Sequence, residues 1–261
     1  MGNLDSFAFK VDSLSLSFQS KVVFKNINFE TSDRQFIALL GPSGCGKTSL
    51  LRCLAGLQAA SLGTIEFQAQ VGSDLVNSKI SKSFVFQKDT LLEWRNVYQN
   101  VALGLELQSL DFKSKEIQQK VLAALRSVGL ENVQDLYPHQ LSGGMRMRVA
   151  LARALVVDPQ ILFMDEPFSA LDEPTRERLS VELRELFLSR PMLIFFVTHS
   201  ISEALFLADR VFVMQNGAIE EFPSVLPSKN RSLEHRFEPV FVNASKAIFR
   251  KTMKASDASS V

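Results

Sequence analysis

Residues 36–57 read FIALLGPSGCGKTSLLRCLAGL: a continuous apolar run, a glycine-rich turn and an apolar segment with helical character. The middle of it, GPSGCGKT (41–48), fits the spacing Gly-x-x-x-x-Gly-Lys-Thr, and strand, glycine loop, helix is the order a phosphate site requires. Gly41, Gly44 and Gly46 let the backbone curl so that consecutive N–H groups face one concavity. Pro42, Ser43 and Cys45 fill the loop between them and belong to the same candidate nucleotide-binding segment. The helix that follows adds the positive end of its dipole to hold an anion. Lys47 can reach the β- and γ-phosphates of a nucleotide, and the Thr48 hydroxyl can ligate Mg²⁺. A mere tight strand-to-helix turn would leave the Lys47-Thr48 pair unexplained.

Upstream, Val11, Leu14, Leu16 and Phe18, then Val22, Phe24, Ile27 and Phe29, predict short alternating strands over 8–31 and a small antiparallel sheet. Downstream, 61–87 carries more short strands, ending in SFVFQ (83–87). From 88 to 156 the pattern turns helical, including Lys115–Val128 and Gly143–Leu155, and reads as an inserted lobe. Two buried strands follow, ILFMD (161–165) and LIFFVTH (193–199), separated by a helical stretch, Glu173–Leu188. Parallel strands alternating with helices predict a doubly wound α/β core. After Phe222, Pro223, Pro227 and Pro239 punctuate a tail with an amphipathic helix, Val240–Lys254. Its apolar residues Val240, Phe241, Ala244, Ala247, Ile248 and Phe249 are expected to pack on the protein's own core, with contact to a lipid surface or a regulatory partner, beside the basic Lys246, Arg250, Lys251 and Lys254, as the weaker alternative.

ILFMDE (161–166) places two carboxylates at the end of an apolar strand, where ligands of open α/β sheets sit. Asp165 is positioned to hold Mg²⁺, and Glu166 to polarise a water for attack on a γ-phosphate. His199 ends the run LIFFVT in the same way and is a candidate γ-phosphate contact. In LSGGMRMRVALARAL (141–155), Ser142 can cap a helix while Gly143 and Gly144 allow close backbone approach, which makes a second anion-binding helix end. One nucleotide per chain leaves that second end idle. A dimer sandwiching ATP between one chain's loop and the other's helix end uses both.

Composition narrows the classes. With 46% hydrophobic and 22% charged residues, 261 residues can bury a sizeable core without staples. A net charge of +1 gives no field to attract nucleic acid or anionic lipid. The 21 Phe, against 2 Tyr and 1 Trp, point to a Phe-rich core. Cys45 and Cys53 read as free thiols in a reducing compartment. No apolar run approaches the roughly 18–20 residues that span a bilayer, and the longest, Met192 to Val197, suits a buried strand. The N-terminal MGNLDS fits a myristoylation pattern that arises easily by chance. The expected place of work is the cytoplasmic side of the membrane, with another subunit supplying any span.

The ordered set GPSGCGKT, Gln87, LSGGM, ILFMDE, SALD (169–172) and His199 resembles the ATP-binding subunits of ABC transporters, over about residues 8–221. The resemblance implies a P-loop NTPase fold: a RecA-like core, an antiparallel β-lobe, an inserted helical lobe at about 88–156, and a separate tail over 222–261. It implies Mg-ATP hydrolysis and further roles. Phe18 matches the aromatic that stacks on adenine, and Gln87 the residue linking metal, attacking water and permease. Ser142, Gly143 and Gly144 match the signature that meets the γ-phosphate across the dimer, and Asp172 the loop connecting the two sites. The implied partners are a second copy of the chain, a permease and, indirectly, a solute-binding protein, at the cytoplasmic face of the inner membrane.

Met145 stands where the family most often has Gln. Together with VFQKDTLLEWRNVYQNVALGLEL (85–107) and LDEPTRERL (171–179), this resembles the importer subgroup for nitrate, sulfonates and taurine, although Glu93 replaces a common Pro. Leu91, Leu92, Trp94, Val97 and Tyr98 read either as a pocket for a permease helix or as core. An ABC-type ATPase acting on DNA or ribosomes would carry a coiled-coil insertion or a tandem cassette. A small-molecule kinase would explain 41–48 but not LSGGM, SALD and His199.

Overall fold

The computed structural model describes residues 6–19, 21–71, 74–76, 80–108, 115–190, 192–227 and 230–258; the myristoylation pattern at the N-terminus lies mainly outside them. In chain order the elements are β1 (Ser6–Phe18), β2 (Lys21–Ser32), β3 (Phe36–Leu40), α1 (Lys47–Ala55), β4 (Leu62–Val71), β5 (Asp74–Val76) and β6 (Lys82–Val85). Three helices follow, α2 (Val97–Glu106), α3 (Lys115–Ser127) and α4 (Gly143–Leu155). The chain then runs through β7 (Ile161–Asp165), α5 (Glu173–Ser189), β8 (Leu193–Thr198), α6 (Ile201–Leu207), β9 (Arg210–Gln215), β10 (Ala218–Pro223) and α7 (Pro239–Ala258).

Two sheets form. One has the order β2-β1-β4-β5 and is antiparallel throughout; the other has the order β10-β9-β3-β8-β7-β6, parallel except at its β10 edge. β3, β7 and β8 read as unbroken apolar runs because both faces of this sheet are covered. Alternate residues divide cleanly between the two sides. Ala38, Leu40, Met164, Phe196 and Val213 join the helices α2 to α7 in one core. Ile37, Leu39, Phe163, Phe195 and Phe212 join α1 and the antiparallel sheet in the other. The phenylalanines carry the second contact: Phe9 lies 5.2 Å from Phe195, Phe29 5.0 Å from Phe212, and Phe163 stacks on Phe195 at 5.4 Å. Burying each such ring contributes about 1.5–3 kcal/mol.

The predicted short strands over 8–31 are instead two long ones joined in a hairpin. The buried apolar positions in β1 are Phe9, Val11, Leu14 and Leu16, spaced two, three and two. The break falls at Ser13, which has φ 51° where the register with β2 shifts. A bulge inserts one residue and restarts the alternation without ending the strand. RVFVMQ (210–215) also forms a strand, β9, beside β3, although the sequence reading takes none there.

The tail helix α7 does pack on the core, through Phe241, Ala244 and Ile248, whereas Val240, Ala247 and Phe249 stay exposed. Arg231 fastens the approach to it. The buried guanidinium donates to the carbonyls of Pro227 (2.7 Å), Phe206 (2.8 Å) and Ala208 (2.9 Å) and to Asp209 Oδ1 (3.1 Å). Asp209 also accepts from Arg184 at 2.7 Å and from the backbone N–H of Phe36, the first residue of β3.

Candidate functional site

β3, β8 and β7 are neighbours and run parallel, so their carboxyl ends open at one edge of the sheet. Gly41 directly follows β3. A side chain there would put Cβ 2.4 Å from the Met214 carbonyl, so the loop can leave the sheet only as glycine. The turn closes at Gly46, which caps α1 at φ 104°, a left-handed conformation that favours glycine. The α1 N-terminus therefore points its free N–H groups into the loop.

Lys47 is buried, and its Nζ donates to the carbonyls of Gly41 and Pro42, both at 2.9 Å. Thr48 Oγ1 donates to Asp165 Oδ1 at 2.8 Å, joining the loop to the end of β7. Burial raises the Asp165 carboxyl above its ordinary range, partly offset by the Thr48 hydrogen bond and the Arg52 charge. A hydroxyl and a carboxylate held together form the hard oxygen pair that Mg²⁺ takes alongside phosphate and water oxygens. Cys45 and Cys53 are free, and burial pushes both thiols up, which keeps them protonated.

Glu166 turns the chain out of β7 at φ 44°, a backbone conformation that costs a non-glycine residue about 1 kcal/mol or more. Its N–H still donates to the Val197 carbonyl at 3.1 Å, so the turn stays tied to β8. The carboxylate projects among three groups: His199 Nδ1 at 3.4 Å, Gln87 Nε2 at 3.4 Å and Lys47 Nζ at 3.9 Å. His199 lies just past the end of β8 and Gln87 just past β6, so each is presented by a turn. Ser169 belongs to the same cluster: its hydroxyl donates to the Glu166 carbonyl at 2.9 Å and lies 3.4 Å from Gln87 Nε2. The sequence reading quotes SALD without giving Ser169 a role, and its polarity just beyond an apolar strand was the available signal.

The other candidates stand apart. Ser142 caps α4 by accepting from the Met145 N–H at 3.2 Å, and no hydrogen bond or ion pair among the described residues joins Ser142, Gly143 or Gly144 to the 41–48 loop. Gly144 has a local reason to be glycine, since a Cβ there would lie 2.9 Å from Thr175 Cγ2 on α5. Asp172 caps α5 through the Thr175 N–H at 3.2 Å, and that hydrogen bonding holds its carboxyl below the usual range. Phe18 ends β1 with its ring 55% exposed.

Residues 24–169, which run from β2 through the loop to Ser169, match the ABC transporter family. The chain belongs to that family. Over 214 residues this ABC cassette is 45% identical to a sulfate/thiosulfate import ATP-binding protein of Mannheimia succiniciproducens, covering 81% of the chain and 60% of the relative. Over 210 residues it is 42% identical to a taurine import ATP-binding protein of Rhizobium johnstonii, covering 78% of each. The cassette thus spans less than two thirds of the first relative's length. Among solved structures it resembles a dimeric ATP-binding cassette in a post-hydrolysis state bound to ADP and Pi, with TM-score 0.69, 27% identity, and coverage of 82% of this chain and 98% of that one. Its fold is the P-loop NTPase fold of ABC ATPases.

Proposed function

We propose that this chain hydrolyses Mg-ATP and thereby energises uptake of a small solute through a partner permease. The observation that carries the reading is the convergence of Lys47, Thr48 with Asp165, and Glu166 with Gln87 and His199 on one sheet edge. The loop amides and Lys47 hold the phosphates. Thr48 and Asp165 hold Mg²⁺, which when bound neutralises charge on the phosphate oxygens. Glu166 takes a proton from the attacking water. Gln87 orients that water, and His199 donates to the γ-phosphate. Ser142, Gly143 and Gly144 of a second copy close the site, Asp172 lies at the junction of the two sites, and Phe18 stacks on the base.

Membrane coupling rests on Gln87 and the segment after it. Leu91 and Val97 are buried, whereas Trp94 is 74% exposed beside the Arg95–Glu106 ion pair (2.7 Å), leaving an aromatic for a permease segment. No helix among the described residues is long and apolar enough to cross a membrane, which suits a peripheral subunit on the cytoplasmic side. The solute in this reading is a small nitrate-, sulfonate- or taurine-like molecule delivered by a solute-binding protein; a relative that imports taurine supports it, while others import sulfate/thiosulfate or spermidine/putrescine. The cassette lobes are assigned as 8–221, with the helical insertion at about 88–156, and the tail as 222–261.

The deciding experiment is Glu166→Gln. The variant should bind Mg-ATP in calorimetry as the parent does, lose at least about a hundred-fold in turnover, and elute as a dimer with Mg-ATP. Turnover equal to the parent's would remove Glu166 as base. ADP formation that strictly requires an added acceptor, with the phosphoryl group carried onto that acceptor, would make the protein a kinase instead.

A further inference from the structure

The sequence Ser200-Ile-Ser-Glu203 has the spacing of a capping box, in which the glutamate reaches back to the N–H of the capping serine. Half of the box is made: Ser200 Oγ accepts from the Glu203 N–H at 3.3 Å. The other half is diverted. The Ser200 N–H donates to Thr198 Oγ1 at 3.0 Å, and the Glu203 carboxylate turns away to accept from Thr198 Oγ1 at 2.5 Å. A carboxylate only 5% exposed has therefore given up its local partner for a longer-range one.

Its second oxygen explains where it has gone. Glu203 Oε1 lies 3.4 Å from Arg176 Nε on α5. That Nε is buried and makes no hydrogen bond, so the contact is an ion pair with its N–H not yet aligned. The same guanidinium donates to the Leu171 carbonyl at 2.9 Å and to Glu173 at 3.3 Å. A chain of contacts, buried at Thr198 and Glu203 and half-buried at Arg176, thus runs from Thr198, the residue before His199, through the Glu203–Arg176 ion pair to the carbonyl of Leu171, the residue before Asp172.

We propose that Glu203 is a positioning residue that locks the turn bearing His199 to the 171–172 turn, so that the γ-phosphate contact and the segment leading to the partner's site move together. The proposal rests on the ATPase reading above. A purely structural cap would need only the Ser200 bond. The Arg176 joint, within reach but not hydrogen-bonded, is the place where a small displacement of one turn is felt by the other. Burial is the main influence that raises the Glu203 carboxyl, with the Thr198 hydroxyl and the Arg176 and His199 charges pulling it down and Glu173 pushing it up.

The test uses Thr198→Val, which removes the hydroxyl at similar volume, and Glu203→Gln, which keeps the shape but loosens the Arg176 joint. Both should bind Mg-ATP within about three-fold of the parent while kcat falls about ten-fold or more, the signature of misplacement rather than lost binding. The double variant should fall no further than the worse single, and Thr198→Ser should restore turnover. NMR of the His199 ring, recorded without nucleotide, should show its resonances displaced in both single variants. Folded variants with parental kcat, or with His199 resonances at parental positions, overturn the proposal. Should Thr198→Val fail to fold, Glu203→Gln decides alone. A parent that turns over no ATP sinks the functional reading but not the ring measurement, so the two failures are told apart.

Discussion

Glu203 also shows how a residue's stability and its use can pull in opposite directions. Its carboxyl is raised by burial, so the folded chain holds that proton more tightly than the unfolded chain does. Stability from this group is therefore full at acid pH and declines as pH rises through the raised value. Glu203→Gln should melt a few degrees higher than the parent near pH 7.5, with the difference shrinking toward pH 4, even as turnover drops; calorimetric scans at both pH values check this. Asp165 and Glu166 were legible in the sequence because they close an apolar run bounded like a strand, and Lys47 because it stands in the Gly-x-x-x-x-Gly-Lys-Thr spacing. Gln87 was not readable from spacing, since 79 residues of chain separate it from Glu166, and it came from family resemblance alone. Arg176 and Glu203 escaped because a charged residue within a helix reads as solvated until the packing around it is known.

At the scale of elements, the meeting of α4 and α5 sets the position of the Ser142 end. The 2.9 Å approach that a Gly144 Cβ would make to Thr175 Cγ2 involves a β-branched side chain with little freedom on a helix. Gly144→Ala should destabilise by about 1–2 kcal/mol through overpacking, and adding Thr175→Ser should recover most of it; urea unfolding of the two variants measures both steps. Gly144 thus has a packing reason to be glycine beside the close backbone approach read for the pair. Strand boundaries in the first sheet were misread. Ser13 and Asn26, at φ 51° and 55°, interrupt the two-residue rhythm of β1 and β2 without stopping either strand. Periodicity alone cannot tell a bulge from a terminus.

Over the whole molecule, the α/β class was plain from three buried strands and their intervening helices, while the closing pair β9 and β10 and the anchoring of the tail depended on long-range pairing that no local pattern announces. Arg231 makes the second point testable. Arg231→Met would strand the Phe206 and Ala208 carbonyls and leave Asp209 with Arg184. It should cost about 3–5 kcal/mol, read as a lower urea midpoint with an unchanged slope. The placement of the phosphate loop, the carboxylate pair and the histidine on three adjoining inner strands has its own consequence. The working parts are rooted in inner strands covered on both faces, and elements of that kind open only when the whole domain does. Warming should then silence the enzyme and melt it at one temperature, and an activity that faded well before the melt would show that the roots are shallower than they look.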